Sequence, residues 1–199
     1  MILYLSIIGV AILLLSGILA PIYDINYFVL VGQISLITIA EILLDIIAAT
    51  LARWLPRKCA DHTKKVFAVS PQEKLVYEKM KIRKWKELIP EIGHFTGFRK
   101  NKLVDPKNCA YLERFLLEIC YGEIGHFLGL FFGFIILLFF PCFTKKRLFF
   151  IIGLVVCAVN IALTLPTIFV LRYNSYKLRI LLKNIRKRSG MPNIQPLTI

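Results

Sequence analysis

The pentapeptide Glu-Ile-Gly-His-Phe occurs twice, as Glu91–Phe95 and as Glu123–Phe127. Each copy sets a carboxylate and an imidazole three residues apart, which puts both on one face wherever the backbone is helical. Glu118 stands eight residues before His126, just over two turns, and so falls near the same face. Three chemistries fit this pattern. Glu123 or Glu118 can orient His126 as a general base that takes a proton from a hydroxyl during acyl transfer. The two Glu-x-x-His units, with Glu118, Glu41 or Asp45, can hold a pair of metal ions between helices. Glu123 and His126 can also simply be polar groups satisfied at a helix end. The expectation is His126 as base with no metal and no cofactor, because Glu91-x-x-His94 follows Pro90, where a helix is hard to continue. Within the first copy, His94 is a candidate substrate contact.

Other polar groups stand out against apolar surroundings. Glu41 and Asp45 lie one turn apart inside a long apolar run. Two carboxylates so close in low dielectric do not both ionise, and ionisable groups at membrane depth are costly unless they pair or face a cavity, so Glu41 and Asp45 either pair with His126 or Arg53 or join the substrate site. Arg83-Lys84-Trp85-Lys86 offers three cations and an indole, suited to anchoring on anionic lipid or to docking a phosphate-bearing acyl donor. Arg172-Tyr173-Asn174 follows another apolar run, where Arg and Tyr serve as interface anchors and the amide suits a headgroup or sugar; as a substrate contact, Arg172 joins Arg83, Lys84 and Lys86 in holding the donor's phosphates or the developing negative charge. Gly125, Gly129 and Gly133 recur every four residues, a pattern that suits close helix packing.

The elements that position these groups follow from composition. The 199-residue chain is 57% hydrophobic, yet it carries 26 Lys and Arg against 12 Asp and Glu, a net charge of +14. Such values coexist only if charge and apolar runs are segregated, and the basic residues do gather in 53–114 and 172–188. The apolar runs point to an anionic membrane surface as the partner of this charge rather than a nucleic acid. Five cysteines without paired spacing suggest neither a disulfide framework nor a zinc site.

The expected fold is all-α, a polytopic membrane protein forming one membrane domain over 1–199. Four apolar runs are long enough to span: about 2–20, 27–55, 124–140 and 148–171. The first lacks a basic leader and is read as a retained helix rather than a signal peptide. Between the second and third, 56–123 is read as a cytoplasmic segment of interfacial amphipathic helices. In it, Ser70-Pro71-Gln72-Glu73 forms a capping box that opens a helix expected to reach Ile89. Leu75, Ile82, Trp85 and Ile89 form an apolar seam along that helix. Asp105-Pro106 is expected to open the helix that leads into the third span. A basic helix over 174–189 stops at Ser189-Gly190, and 190–199 is a tail. The positive-inside rule places both termini in the cytoplasm, although Lys145-Lys146-Arg147 then falls outside and runs against it.

The series Ile82-Arg83-Lys84-Trp85-Lys86, Glu118, Glu123-x-x-His126, Pro166 and Arg172-Tyr173-Asn174, followed by a basic helix, resembles the glycosyl-4,4'-diaponeurosporenoate acyltransferases over roughly residues 49–188. These are small bacterial membrane enzymes that esterify a sugar hydroxyl of a glycosylated carotenoid with a fatty acyl chain. The resemblance implies a membrane lipid acceptor and an acyl donor such as acyl-CoA, and it implies acyl transfer to a membrane lipid more strongly than it implies a carotenoid. This chain departs from the pattern by an extra N-terminal span and by a loose match around Glu91–His94.

Overall fold

The computed structural model describes residues 2–89, 103–142 and 145–190. It is 83% helical, with no strand among the described residues. Among the described residues, four helices are long and apolar enough to cross a membrane. The helices are α1 (Ile2–Tyr23), α2 (Tyr27–Trp54), α3 (Pro71–Lys79), α4 (Ile82–Trp85), α5 (Cys109–Phe132) and α6 (Lys146–Arg188), with 3-10 segments at Lys65–Phe67, Lys86–Leu88 and Gly133–Cys142. The first copy of the pentapeptide, His94 included, and the tail beyond Gly190 lie outside the described residues.

Four boundaries differ from the sequence expectation, each for a local reason. α1 continues through Pro21 to Tyr23 before a turn in which Asp24 takes a positive φ of 50°. Asn26 then caps α2, its side-chain oxygen accepting from the backbone N–H groups of Phe28 and Val29 at 3.0 and 3.3 Å. The helix opened by Ser70 ends at Lys79 and does not reach Ile89, because Lys81 adopts a left-handed φ of 54° and redirects the chain into α4. Asn108, rather than Asp105-Pro106, starts α5, its side chain accepting from the N–H of Tyr111 at 3.1 Å. The fourth span and the basic helix are one helix, α6, of 43 residues. About 20 residues suffice to cross the hydrocarbon, and Arg172-Tyr173-Asn174 contains nothing that breaks a helix. Gly190 closes α6 with a φ of 68°, where glycine meets no Cβ penalty.

The described residues fall into two compact units, 1–47 with 130–162, and 48–129 with 163–199. The core of the first unit is Ala20, Leu30, Ile34, Ile37, Ile136, Leu148, Phe149 and Ile152. Within it Asn160 donates to Glu41 in a buried pair, and the Cys157 thiol donates to the Gly133 carbonyl at 3.3 Å. Gly133 leaves room for this pair: a Cβ would stand 2.5 Å from Glu41 Oε1 and 2.8 Å from Asn160 Nδ2, so both side-chain ends would have to shift. Gly133→Ala is therefore expected to break the buried pair and to cost about 1–3 kcal/mol. The readout is thermal unfolding in detergent, and an unchanged melting temperature would refute it.

The described residues of the second unit pack three apolar clusters. One joins Leu112, Phe115, Leu116 and Ile119 of α5 to Leu178 and Leu182 of α6. Another gathers Tyr77, Ile82, Val170 and Tyr173, with Trp85 and Ile89 against them. The third sets Ala60 and Phe67 of the connecting segment on Cys120. Three of the four seam residues are thus turned to the core despite the break at Lys81, while Leu75 stays exposed. Gly125 lets α5 approach α2 closely, since its Cβ would lie 3.3 Å from Ala49 Cα.

Candidate active site

The second unit is organised around Arg172. Its Nε and Nη2 grip both oxygens of Glu73, the Nη2–Oε2 distance being 3.0 Å. Nη1 donates to Glu123 Oε2 at 3.0 Å and to the Val66 carbonyl at 3.2 Å, and Nη2 also reaches the Ala68 carbonyl at 3.2 Å. These five bonds match the five N–H donors a guanidinium has. Arg172 is therefore a positioning residue, joining α3, α5, α6 and the 55–70 segment, with no donor left over for a ligand. Arg179, seven residues on, donates to the Phe67 carbonyl at 2.9 Å and to Ser175 Oγ at 3.3 Å. Tyr121 adds a third tie, its hydroxyl donating to the Leu55 carbonyl at 3.0 Å.

The capping box does double service. Ser70 Oγ accepts from the Glu73 N–H at 3.1 Å, as the motif demands. The Glu73 side chain takes Arg172 and accepts from the Tyr77 hydroxyl, and the Ser70 backbone N–H adds a weaker hydrogen bond to it. Burial raises the Glu73 pKa, but the hydrogen bonds from Arg172 and then Tyr77 outweigh it and hold the carboxyl below its ordinary value. Burial, followed by donation to Glu73, pushes the Tyr77 phenol up, so it stays protonated as the donor. A carboxyl whose folded pKa is depressed stabilises fully above its unfolded value and loses that contribution as pH falls through the folded value. Thermal stability in detergent should accordingly fall as the pH drops below the ordinary glutamate value of about 4.3. Glu73→Gln should flatten that slope, and equal slopes in the two proteins would count against the assignment.

Glu123 is 1% exposed, and its Oε1 accepts no hydrogen bond among the described residues. His126, one turn further along α5, is partly buried and likewise has no hydrogen-bond partner among them. Glu118 is committed elsewhere, accepting from Arg53 at 3.0 Å and from Arg114 at 2.7 Å. The structure thus brings Glu123 and Arg172 together and ties Glu118 to two cations.

The remaining candidates scatter. Tyr173 is buried in the cluster with Tyr77, and Lys177 lies 4.3 Å from its ring centroid, a cation–π contact. Asn174 is partly buried. Trp85 packs on the same cluster and donates to the Met80 carbonyl at 2.8 Å, which closes the turn at Lys81. Arg83 and Lys84 are exposed, and Lys86 is half-buried. Glu41 and Asp45 belong to the first unit, Glu41 in its bond with Asn160. No cluster of three or more His, Cys, Asp or Glu side chains suited to a metal occurs among the described residues.

Sequence reasoning passed over His62. It is partly buried and faces Asp61, with Nδ1 to Oδ1 at 3.8 Å, beside an open cleft of about 320 Å³. An adjacent Asp-His pair in a loop carries no periodicity, so only a three-dimensional neighbourhood singles it out.

One family model, described as glycosyl-4,4'-diaponeurosporenoate acyltransferase, matches residues 56–184, from just after α2 to near the end of α6. The chain has no match among curated proteins or solved structures.

Proposed function

Because the chain belongs to the glycosyl-4,4'-diaponeurosporenoate acyltransferase family, we propose that it is a membrane O-acyltransferase in which His126 is the general base. The acceptor is a sugar hydroxyl of a glycosylated lipid of the carotenoid-glycoside kind, and the donor is an activated fatty acyl group such as acyl-CoA. His126 removes the hydroxyl proton as the oxygen attacks the acyl carbonyl carbon. The bond to the leaving sulfur then breaks, and the proton held by His126 passes to that sulfur. Glu123 supplies the negative charge against which the imidazolium forms.

The observation that carries this reading is the state of Glu123. A carboxylate 1% exposed, gripped by Arg172 through one oxygen and, among the described residues, unpartnered at the other, stands one turn from an imidazole that has no hydrogen bond among those residues either. Buried polar groups are costly unless they are satisfied, and an incoming hydroxyl supplies what both lack. Glu118, already neutralised by two arginines, fits this role less well. Tyr173 and Asn174 are assigned to the acceptor side. Exposed Arg83 and Lys84, with Lys86 and Trp85, rest on the anionic headgroups of the cytoplasmic leaflet of a bacterial cell membrane, with both termini on that side. Glu41 and Asp45 are assigned to structural pairing in the apolar unit. The reading calls for no metal and no cofactor.

The direct test incubates membranes containing the protein with a radiolabelled fatty acyl-CoA and a glycosylated carotenoid, and follows label into the ester. Ester formation above membranes lacking the protein is expected, and its absence with every acyl chain and glycolipid tried would overturn the reading.

A further inference from the structure

The cleft beside His62 is lined by Arg57, Lys58, Asp61, His62, Glu113 and Leu117. Its two carboxylates are already engaged. Asp61 Oδ1 accepts from both the N–H and the hydroxyl of Thr63 at 2.8 Å, and Glu113 is paired with Arg186. Its two cations are not: Arg57 and Lys58 are exposed and make no ion pair among the described residues. Burial, and after it the Arg179 guanidinium, hold the His62 imidazole below its ordinary pKa, so the ring adds a neutral N–H donor to the wall. Asp61 and Glu113 offset Arg57 and Lys58, and Arg186, paired with Glu113, leaves one positive charge in excess around the cleft, with the Arg57, Lys58 and His62 donors facing it.

We propose that this cleft binds a phosphate ester, with Arg57 and Lys58 on its charged oxygens, His62 donating from the wall, and Leu117 against the apolar side. The identification of that ester with the phosphate end of the acyl donor rests on the acyl-transfer reading; the anion site itself does not. Size supports a phosphate end rather than a whole donor. A cavity of about 320 Å³ is at the lower limit of small-molecule sites, roughly 300–1,000 Å³, which suits a phosphate or pyrophosphate group and leaves an acyl chain outside. The assignment also supplies what Arg172 cannot, since that guanidinium has its full set of partners. The same chemistry has two possible sources, a soluble phosphorylated donor or a phospholipid headgroup.

The test uses full-length protein in phosphatidylcholine nanodiscs, titrated with coenzyme A and, separately, with inorganic pyrophosphate. Wild-type protein should bind, and Arg57→Gln/Lys58→Gln should weaken binding by about tenfold or more, as expected for two lost charge-assisted contacts. Arg57→Lys/Lys58→Arg should restore it, Lys146→Gln/Arg147→Gln, exposed and in the other unit, should leave it unchanged, and His62→Gln should fall between. If coenzyme A and pyrophosphate do not bind, but phosphatidylglycerol co-purifies with wild-type protein and not with Arg57→Gln/Lys58→Gln, the cleft holds a headgroup instead. Ligand and lipid binding that both ignore Arg57 and Lys58 would overturn the proposal. Because binding is read without turnover, His126→Ala should bind as wild type does, and a failure of acyl transfer leaves this result standing.

Discussion

Arg172→Ala is expected to destabilise the protein by about 3–5 kcal/mol, the range for removing one partner of a buried ion pair. The substitution strands Glu123, which is 1% exposed, together with Glu73 and the carbonyls of Val66 and Ala68. Thermal unfolding in detergent should show a large drop, with early proteolytic cleavage in the 55–70 segment. Arg172→Lys should recover little, because three ammonium donors on one nitrogen cannot reproduce a five-bond fork. Arg172→Met with Glu73→Gln and Glu123→Gln should recover much of the loss, since it removes the stranded charges rather than their partner alone. An Arg172→Ala protein that melts as wild type does would show that the network adds no stability.

His126→Ala should reduce acyl transfer by about 10²–10⁴-fold, the usual contribution of a positioned general base, while membrane insertion and melting stay as in wild type. The stability expectation follows from the position: His126 holds no hydrogen bond among the described residues, so its removal strands nothing. This separates the two experiments. Arg172 is expected to matter through the fold, and His126 through the chemistry alone. An anchoring role for the whole chain gives the opposite pattern, with His126→Ala silent and charge reversal at Lys84 and Lys86 abolishing function. Full activity in His126→Ala would end the assignment of that imidazole as base.

The parts of this fold that could be read from sequence are those whose cause is local. The four apolar runs announce their helices because length and composition alone decide whether a segment can span. Ser70 announces the start of α3 because a cap needs only its own next three residues. The break at Lys81 could not be read, since lysine is no turn residue and its left-handed backbone is held by Trp85 reaching back to Met80. Neither could the fusion of the last span with the basic helix, as a change of composition at Leu171 need not be a change of backbone. The candidate site divides in the same way. Glu123 and His126 were visible through their spacing. The grip of Arg172 on Glu73, 99 residues apart in sequence, was not, and it turns an expected ligand-binding cation into a structural one. The His62 cleft was equally hidden, because its walls come from two distant stretches of chain.

The ties on the 55–70 segment share one property. Arg172, Arg179 and Tyr121 all hold it by main-chain carbonyls, at Val66, Ala68, Phe67 and Leu55. A clasp on the peptide unit is blind to the letter written at each position and sensitive only to where the chain runs. These ties leave the strap free to drift in spelling except where its side chains have work of their own: Ala60 and Phe67 on Cys120, Ser70 capping α3, and Arg57, Lys58 and His62 at the cleft. One residue inserted or deleted between Leu55 and Val66 would put the two ends of the clasp out of step, so the strap tolerates changed letters better than a changed length.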